Sequence, residues 1–200
     1  MKKVQKTKED GIVDFLFESG MLAKTPRSGF HFLGSGSQSV AEHLNRTVYI
    51  GFALAQMAKN VDMSKLLQMC MFHDLAEART SDLNYVQQKY VKSDENKALS
   101  DLFQTLSFGN KIKEIIEEYE ERKTKEAILA KDADILELIL SIKEQIDIGN
   151  ERAEIWIPSA IKRLKTKEGK ILGGKIIKTD SDRWWFYDKK DQWWVNRGKE

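Results

Sequence analysis

The sequence predicts an all-α protein. Three observations carry that expectation. Apolar residues recur at helical spacing along most of the chain. Only two prolines interrupt its 200 residues, and long turn clusters are few. One stretch, residues 124–148, is apolar on most of its faces, as the buried central helix of a bundle has to be. A chain of this length fits one domain with a sizeable core.

Residues 1–8 are rich in lysine and are expected to fray. Across 9–23, Ile12, Val13, Leu16, Phe17 and Met21 keep a helical period. Residues 24–38 read as a loop, broken by Pro26, Gly29, Gly34 and Gly36. A loop of about 15 residues inside a compact domain is more often functional than idle. Ser39-Val40-Ala41-Glu42 is a capping box, with Ser39 at the N-cap and Glu42 at N3. It opens a helix to about Asn60, with Val40, Leu44, Val48 and Phe52 in its apolar stripe. A third helix is expected over 63–79, then a turn and a short helix within 80–91. Helical patterns return at 94–106, 111–122 and 124–148, the last ended by Gly149-Asn150. Residues 151–164 form a further helix that Pro158 either kinks or restarts. Gly173-Gly174 is expected to weaken the segment that follows. Trp184-Trp185 and Trp193-Trp194 flank a polar turn, the form of a hairpin. That tail either packs back on the helices or makes a dimer contact, since Trp and Tyr favour interfaces.

Composition bounds the partners. The hydrophobic fraction is 41% and the charged fraction 32%, as in soluble globular proteins. Thirty-three basic and 31 acidic side chains leave a net charge of +2, too balanced for a nucleic-acid or membrane surface. The single Cys70 excludes an internal disulfide; inside an apolar run it reads as a buried thiol in a reducing compartment. The N-terminus is charged with no apolar signal core, and no stretch approaches ~18 consecutive apolar residues. The expected location is the cytoplasm.

The chemistry is concentrated in Met71-Phe72-His73-Asp74-Leu75-Ala76-Glu77, at the end of an apolar helical run. Ionisable side chains delivered from a core-facing helix are costly unless something pairs with them. His43 lies on the preceding helix, and Asp132 and Asp134 lie in the long buried one. Two neutral imidazoles and two carboxylates balance the charge of one divalent cation and leave room for water and substrate. Mixed nitrogen and oxygen donors suit manganese, cobalt, iron, nickel, zinc or magnesium, and the pattern does not choose among them. Asp132 and Asp134 lie two residues apart, on different helix faces, and pattern alone leaves either as the last donor.

The order His43, His73-Asp74, then Asp on successive helices resembles the HD-domain metal-dependent phosphohydrolase superfamily. Neighbouring residues narrow the resemblance to the branch of the bacterial 5′-deoxynucleotidases. Arg27-Ser-Gly-Phe30 looks like that branch's Arg-x-Gly-Trp segment, and Ser39-Val-Ala-Glu-His43 like the segment ending in its first His ligand. His73-Asp-Leu-Ala-Glu77 with Thr80-Ser-Asp82 reproduces the HD-x-x-E-x-x-x-x-D spacing. Lys131-Asp-Ala-Asp134 is similar to the segment carrying the final Asp, and Asp180-Ser-Asp-Arg-Trp-Trp185 to the usual C-terminal end. The likeness covers roughly residues 10–186. It departs at Phe30, where the branch has Trp, and at Pro158.

The resemblance implies a helical bundle over 9–186 with a metal site between helices, followed by an aromatic extension, 187–200. It implies metal ligands His43, His73, Asp74 and Asp134, favouring Asp134 over Asp132. Glu77 and Asp82 become the catalytic carboxylates, Arg27 the phosphate-binding residue and Phe30 a weaker substrate contact. His31 receives no role. The implied activity is hydrolysis of (deoxy)nucleoside 5′-monophosphates by a homodimer or higher homo-oligomer. Hydrolysis of triphosphates or of guanosine polyphosphate alarmones is the alternative, though Ala78 stands where alarmone hydrolases usually carry Asp. Dinuclear relatives need further histidines after His73, and there are none. A non-catalytic nucleotide sensor would not need Glu77 and Asp82.

Overall fold

The computed structural model describes residues 7–104, 106–186, 191, 193 and 196. Helix α1, Lys8–Ser19, opens on a reciprocal capping box between Thr7 and Asp10. Residues 7 and 8, expected to fray, therefore start an anchored helix, because Thr7 and Asp10 satisfy amide groups at its first turn. A 3-10 turn, Gly20–Ala23, follows.

The expected loop carries one turn of helix, α2, Phe30–Leu33, closed by Gly34 at φ 73°. Glycine takes that positive φ without steric cost. The ends of the segment are clasped by an antiparallel bridge between Pro26 and Ser39. Arg27 N–H donates to Gln38 O at 2.8 Å, and Val40 N–H to Thr25 O at 2.9 Å.

Helix α3, Val40–Met57, begins at the Ser39/Glu42 capping box and buries Val40, His43, Leu44, Thr47, Ile50 and Leu54. Phe52 is not part of that face and is 49% exposed. Steps of four residues drift by about 40° each, so the fourth member of the expected stripe has rotated to solvent.

The helix expected over 63–79 is broken. Helix α4, Met63–Phe72, ends just before His73, and α5, Glu77–Thr80, resumes after a tight turn. Within the turn Leu75 N–H donates to Phe72 O and Glu77 N–H to Asp74 O, both at 3.0 Å. On a regular helix neighbouring side chains diverge by about 100°. Here His73 Nε2 and Asp74 Oδ2 come within 3.5 Å.

After a 3-10 turn at Gln87–Lys89 come α6, Glu95–Phe103, and α7, Gly109–Glu121. Helix α8, Lys125–Asp147, is the expected central helix, with fourteen buried residues spread round its circumference. It packs against α3, α4 and α7. Its end is turned by Gly149 at φ 94°. Helices α9, Glu151–Glu154, and α10, Ile157–Arg163, separate at residues 155–156. Pro158 lies in the first turn of α10, so it restarts the helix, in a turn where a missing N–H costs nothing.

Helix α11, Lys167–Ile176, runs straight through Gly173-Gly174, contrary to the expected weakening. A Cβ at Gly173 would lie 2.6 Å from Leu164 Cδ1, so close packing of α11 is what requires the glycine. The main core gathers around α8 from Leu54, Leu66, Met69, Leu129, Leu136 and Ile139, with Cys70 fully buried among them.

Among the described residues there is no strand, and no helix is long and apolar enough to cross a membrane. Trp184 is exposed, while Trp185 stacks on Phe186 with centroids 5.2 Å apart. The expected hairpin falls mostly on residues 187–200, of which only 191, 193 and 196 are described.

Candidate metal centre

Four side chains from α3, the α4–α5 turn and α8 point into one buried space. His43 Nε2 lies 3.4 Å from His73 Nε2 and 3.4 Å from Asp134 Oδ1. Asp74 Oδ2 lies 3.5 Å from the Nε2 of each histidine. The ligand atoms of His43, His73 and Asp134 all fall within 4.8 Å of one another. Donors 3.4–3.5 Å apart suit a shared centre about 2.1 Å from each, the ordinary metal–nitrogen distance. A cation of that size fits this donor set.

Both imidazoles are oriented from behind. His43 Nδ1 is 2.6 Å from Glu137 Oε2, and His73 Nδ1 is 3.1 Å from the carbonyl oxygen of Cys70. A carboxylate and a carbonyl only accept, so both Nδ1 atoms carry protons and it is the Nε2 atoms that face the centre. Asp134 Oδ2 accepts from Lys131 Nζ at 2.6 Å.

Electrostatics follow from this crowding. Burial opposes charge on His43, but hydrogen bonds to Asp134 and Glu137 outweigh it and lift the metal-free imidazole to about 9. Burial pushes His73 down. Burial would raise Asp134, yet His43 and Lys131 hold it well below the carboxylate range. Glu77 goes the other way: burial, then the charges of Asp74 and Asp82, push it up to about 9. Its Oε2 is buried with no hydrogen-bond partner among the described residues. A buried polar atom left without a partner is costly, and a site that holds one is arranged around something else.

Asp132 is not in this space. Fully buried, it accepts from Lys165 N–H at 2.9 Å, Thr166 N–H at 2.7 Å and Thr166 Oγ1 at 2.5 Å. It ties the start of α11 to α8, and Asp134 alone of the pair reaches the imidazoles.

Arg27 sits at the mouth, with Nη1 3.3 Å from Asp74 Oδ2 and 3.5 Å from Asp82 Oδ2. Burial lowers its basicity, but the surrounding carboxylates more than restore it. Asp82 also accepts from Ser28 N–H at 3.0 Å. Beside Arg27 opens a cavity of about 200 Å³ whose apolar walls include Phe30, Phe32, Tyr85 and Trp156. His31 is exposed on α2.

Sequence reasoning missed Glu137, Arg46 and the Tyr85 and Trp156 walls. For Glu137 a signal existed. It lies three residues after Asp134 in the same apolar run, and the cost argument used for Asp134 applies to it equally.

An HD domain family model matches residues 19–173. The Dictyostelium discoideum protein named 5′-deoxynucleotidase HDDC2 is 33% identical over 119 residues, 54% of this chain and 62% of that one. The chain thus spans somewhat under two thirds of that relative. The Bos taurus protein of the same name is 27% identical over 146 residues, 70% of each chain. Among solved structures, a conserved hypothetical protein from Pyrococcus furiosus superposes with TM-score 0.71 at 28% identity, covering 84% of this chain and 99% of its own. A second, from Pyrococcus horikoshii, gives 0.69 at 27% identity, covering 83% and 98%.

Proposed function

The chain belongs to the HD-domain family, and from that premise we propose that it is a divalent-metal-dependent phosphomonoesterase converting (deoxy)nucleoside 5′-monophosphates to nucleoside and phosphate. The observation that carries this reading is the meeting of the His43, His73 and Asp134 donors and the adjoining Asp74 with one guanidinium and one carboxylate whose Oε2 is buried without a partner. The shared name of the relatives, 5′-deoxynucleotidase, supports the substrate class.

In this reading one domain, 9–186, holds the whole site, and His43, His73, Asp74 and Asp134 are the metal ligands. A divalent cation held there would supply a water of lowered pKa and would share the phosphate charge, and its positive charge would favour the ionised form of Glu77. Arg27 engages the phosphate through its planar fork, of which only Nη1 is taken up by Asp74 and Asp82. Glu77 accepts a proton from the attacking water and returns it, directly or through Asp82, to the leaving 5′ oxygen. Attack in line on phosphorus breaks the P–O5′ bond. Phe30, with Phe32, Tyr85 and Trp156, encloses the nucleoside in the cavity beside Arg27. Phosphate-ester hydrolysis is among the slowest uncatalysed reactions, and a mostly electrostatic site suits it.

The native metal is one of manganese, cobalt, iron, nickel, zinc and magnesium. We place the enzyme in the cytoplasm as a homodimer or higher homo-oligomer, with no nucleic-acid or membrane partner. The deciding experiment is a phosphate-release screen over ribo- and deoxynucleoside mono-, di- and triphosphates, each with these metals in turn. Release from 5′-monophosphates is the expected result; release only from triphosphates, or none with any metal, refutes the reading.

A further inference from the structure

We propose that Glu137 is a positioning residue of the metal centre, which fixes His43 in the tautomer and orientation that present its Nε2 lone pair to the cation. The inference rests on the metal-centre reading above and concerns a residue outside the ligand set.

Glu137 is 1% exposed and enters from α8, one turn after Asp134. Its two oxygens have separate duties. Oε2 faces His43 Nδ1 at 2.6 Å. Oε1 accepts from Arg46 Nε at 2.9 Å and Nη2 at 2.7 Å, from Gln38 Nε2 at 2.6 Å and from Ser141 Oγ at 3.0 Å. The carboxylate is thereby held on one side so that its other side can address only the imidazole. Arg46 is itself fixed, by Glu144 at 2.5 Å and by Ser141 Oγ at 2.6 Å. Nothing in the packing of α3 on α8 requires such an assembly, since burying a carboxylate and a guanidinium is costly compared with apolar side chains of similar size.

The two histidines are served differently. His73 is oriented by a main-chain carbonyl, which no substitution removes. His43 is oriented by a full negative charge, which both fixes the ring and makes its far nitrogen a stronger donor. His43 is also the histidine in contact with both carboxylate donors, Asp74 and Asp134.

The test uses full-length protein and the metal alone. Zn²⁺ and Co²⁺ binding is titrated for wild type, Glu137→Gln and Asp147→Asn, and the Co²⁺ absorption bands are recorded. Losses on removing such orienting partners typically fall at about 10–100-fold in metal affinity. Glu137→Gln should weaken binding by about that factor and shift the Co²⁺ bands. Asp147→Asn, which removes a carboxylate from the same helix that pairs with Lys143 and Ser181 and not with this assembly, should do neither. A Glu137→Gln protein that melts lower yet binds both metals as wild type does, with an unchanged spectrum, overturns the inference and leaves Glu137 a structural residue. In case that variant does not fold, nitrogen-15 NMR of Zn²⁺-loaded wild type reads the tautomer directly. A proton on His43 Nδ1 is the expected result, and a proton on Nε2 overturns the proposal. Wild type that binds neither metal brings down the metal-centre reading itself and this inference with it. Wild type that binds while Glu137→Gln binds equally overturns this inference alone.

Discussion

Asp132 and Asp134 are two residues apart on one helix, and their removal should damage different properties. Asp132 is fully buried and accepts three hydrogen bonds, two from main-chain amides and one from a hydroxyl. Thr166 is in turn the N-cap of α11, its Oγ1 accepting from Gly169 N–H. Even Gly169 is shaped by the arrangement, because a Cβ there would fall on the Asp132 carboxylate. Asp132→Ala removes all three bonds and leaves two part-buried amides without their acceptor. A bond to a charged group contributes about 1.5–3 kcal/mol, and an unpaired buried donor costs about 1–3. Three bonds sharing one acceptor are not additive, so a loss of about 3–5 kcal/mol is expected. For a chain of this size about 1 kcal/mol moves Tm by about 2–4 °C, giving a fall of about 6–20 °C. The assay is thermal unfolding by circular dichroism on metal-free protein, paired with metal content per chain at a temperature below the transition. Asp132→Ala should melt early and still bind metal; Asp134→Ala should lose the metal. An Asp132→Ala protein with wild-type Tm, or one that is metal-free while Asp134→Ala stays loaded, refutes the division of labour.

Glu77→Gln should lower kcat by about 10²–10⁴-fold, the usual worth of a general base, while metal binding persists; normal turnover removes Glu77 from the chemistry. Arg27→Ala should cost about 2–4 kcal/mol in kcat/KM for a 5′-monophosphate, by analogy with one lost stabilising donor. Arg27→Lys should recover only part, since it keeps the charge and loses the fork; full recovery would show that the fork is irrelevant. Asp147 supplies a pH test away from the centre. Partial burial would raise its carboxyl, but hydrogen bonds from Lys143 and Ser181 outweigh it and hold it below 3.8. A depressed folded-state pKa stabilises above the unfolded value, and that contribution is lost as pH falls through the folded one. The Ser181 amide, which donates to Asp147 Oδ2 at 2.8 Å, should therefore titrate by NMR with a midpoint below 3.8; a midpoint at or above it contradicts the pairing.

Much of this architecture was legible because it rests on local patterns. The Ser39/Glu42 box, the long apolar helix ended by Gly149 and the restart near Pro158 each follow from side chains close in sequence. The break after Phe72 was not legible, since the residues of 63–79 are good helix formers and tertiary demands bring His73 and Asp74 together. Gly173 misled for a related reason: helix propensity penalises it, whereas a Cβ there would press on the end methyls of Leu164 and Ile161 and make them shift. At the site, side chains that converge on the centre were readable from residue type and order. Their supports were not, because Arg46 reaches Glu137 across 91 positions of sequence. Trp156 reaches the cavity wall from the junction of α9 and α10 through packing that no short window contains.

The clasp between Pro26 and Ser39 separates two parts of one segment. Arg27 and Gln38 stand at its base, paired main chain to main chain, while Phe30, Phe32 and Leu33 stand on the excursion beyond it. The closure holds the base in register, while the excursion is fastened separately, by Leu33 packing against Ile142 and Ala153 and by bonds from Asn150 to Leu33 O and from Ser35 to Gln145. In the function proposed above, the base would hold the phosphate and the excursion would supply part of the wall around the nucleoside. Because Tyr85 and Trp156 complete that wall from other parts of the chain, a change of nucleoside preference would need the excursion and these two side chains to change together.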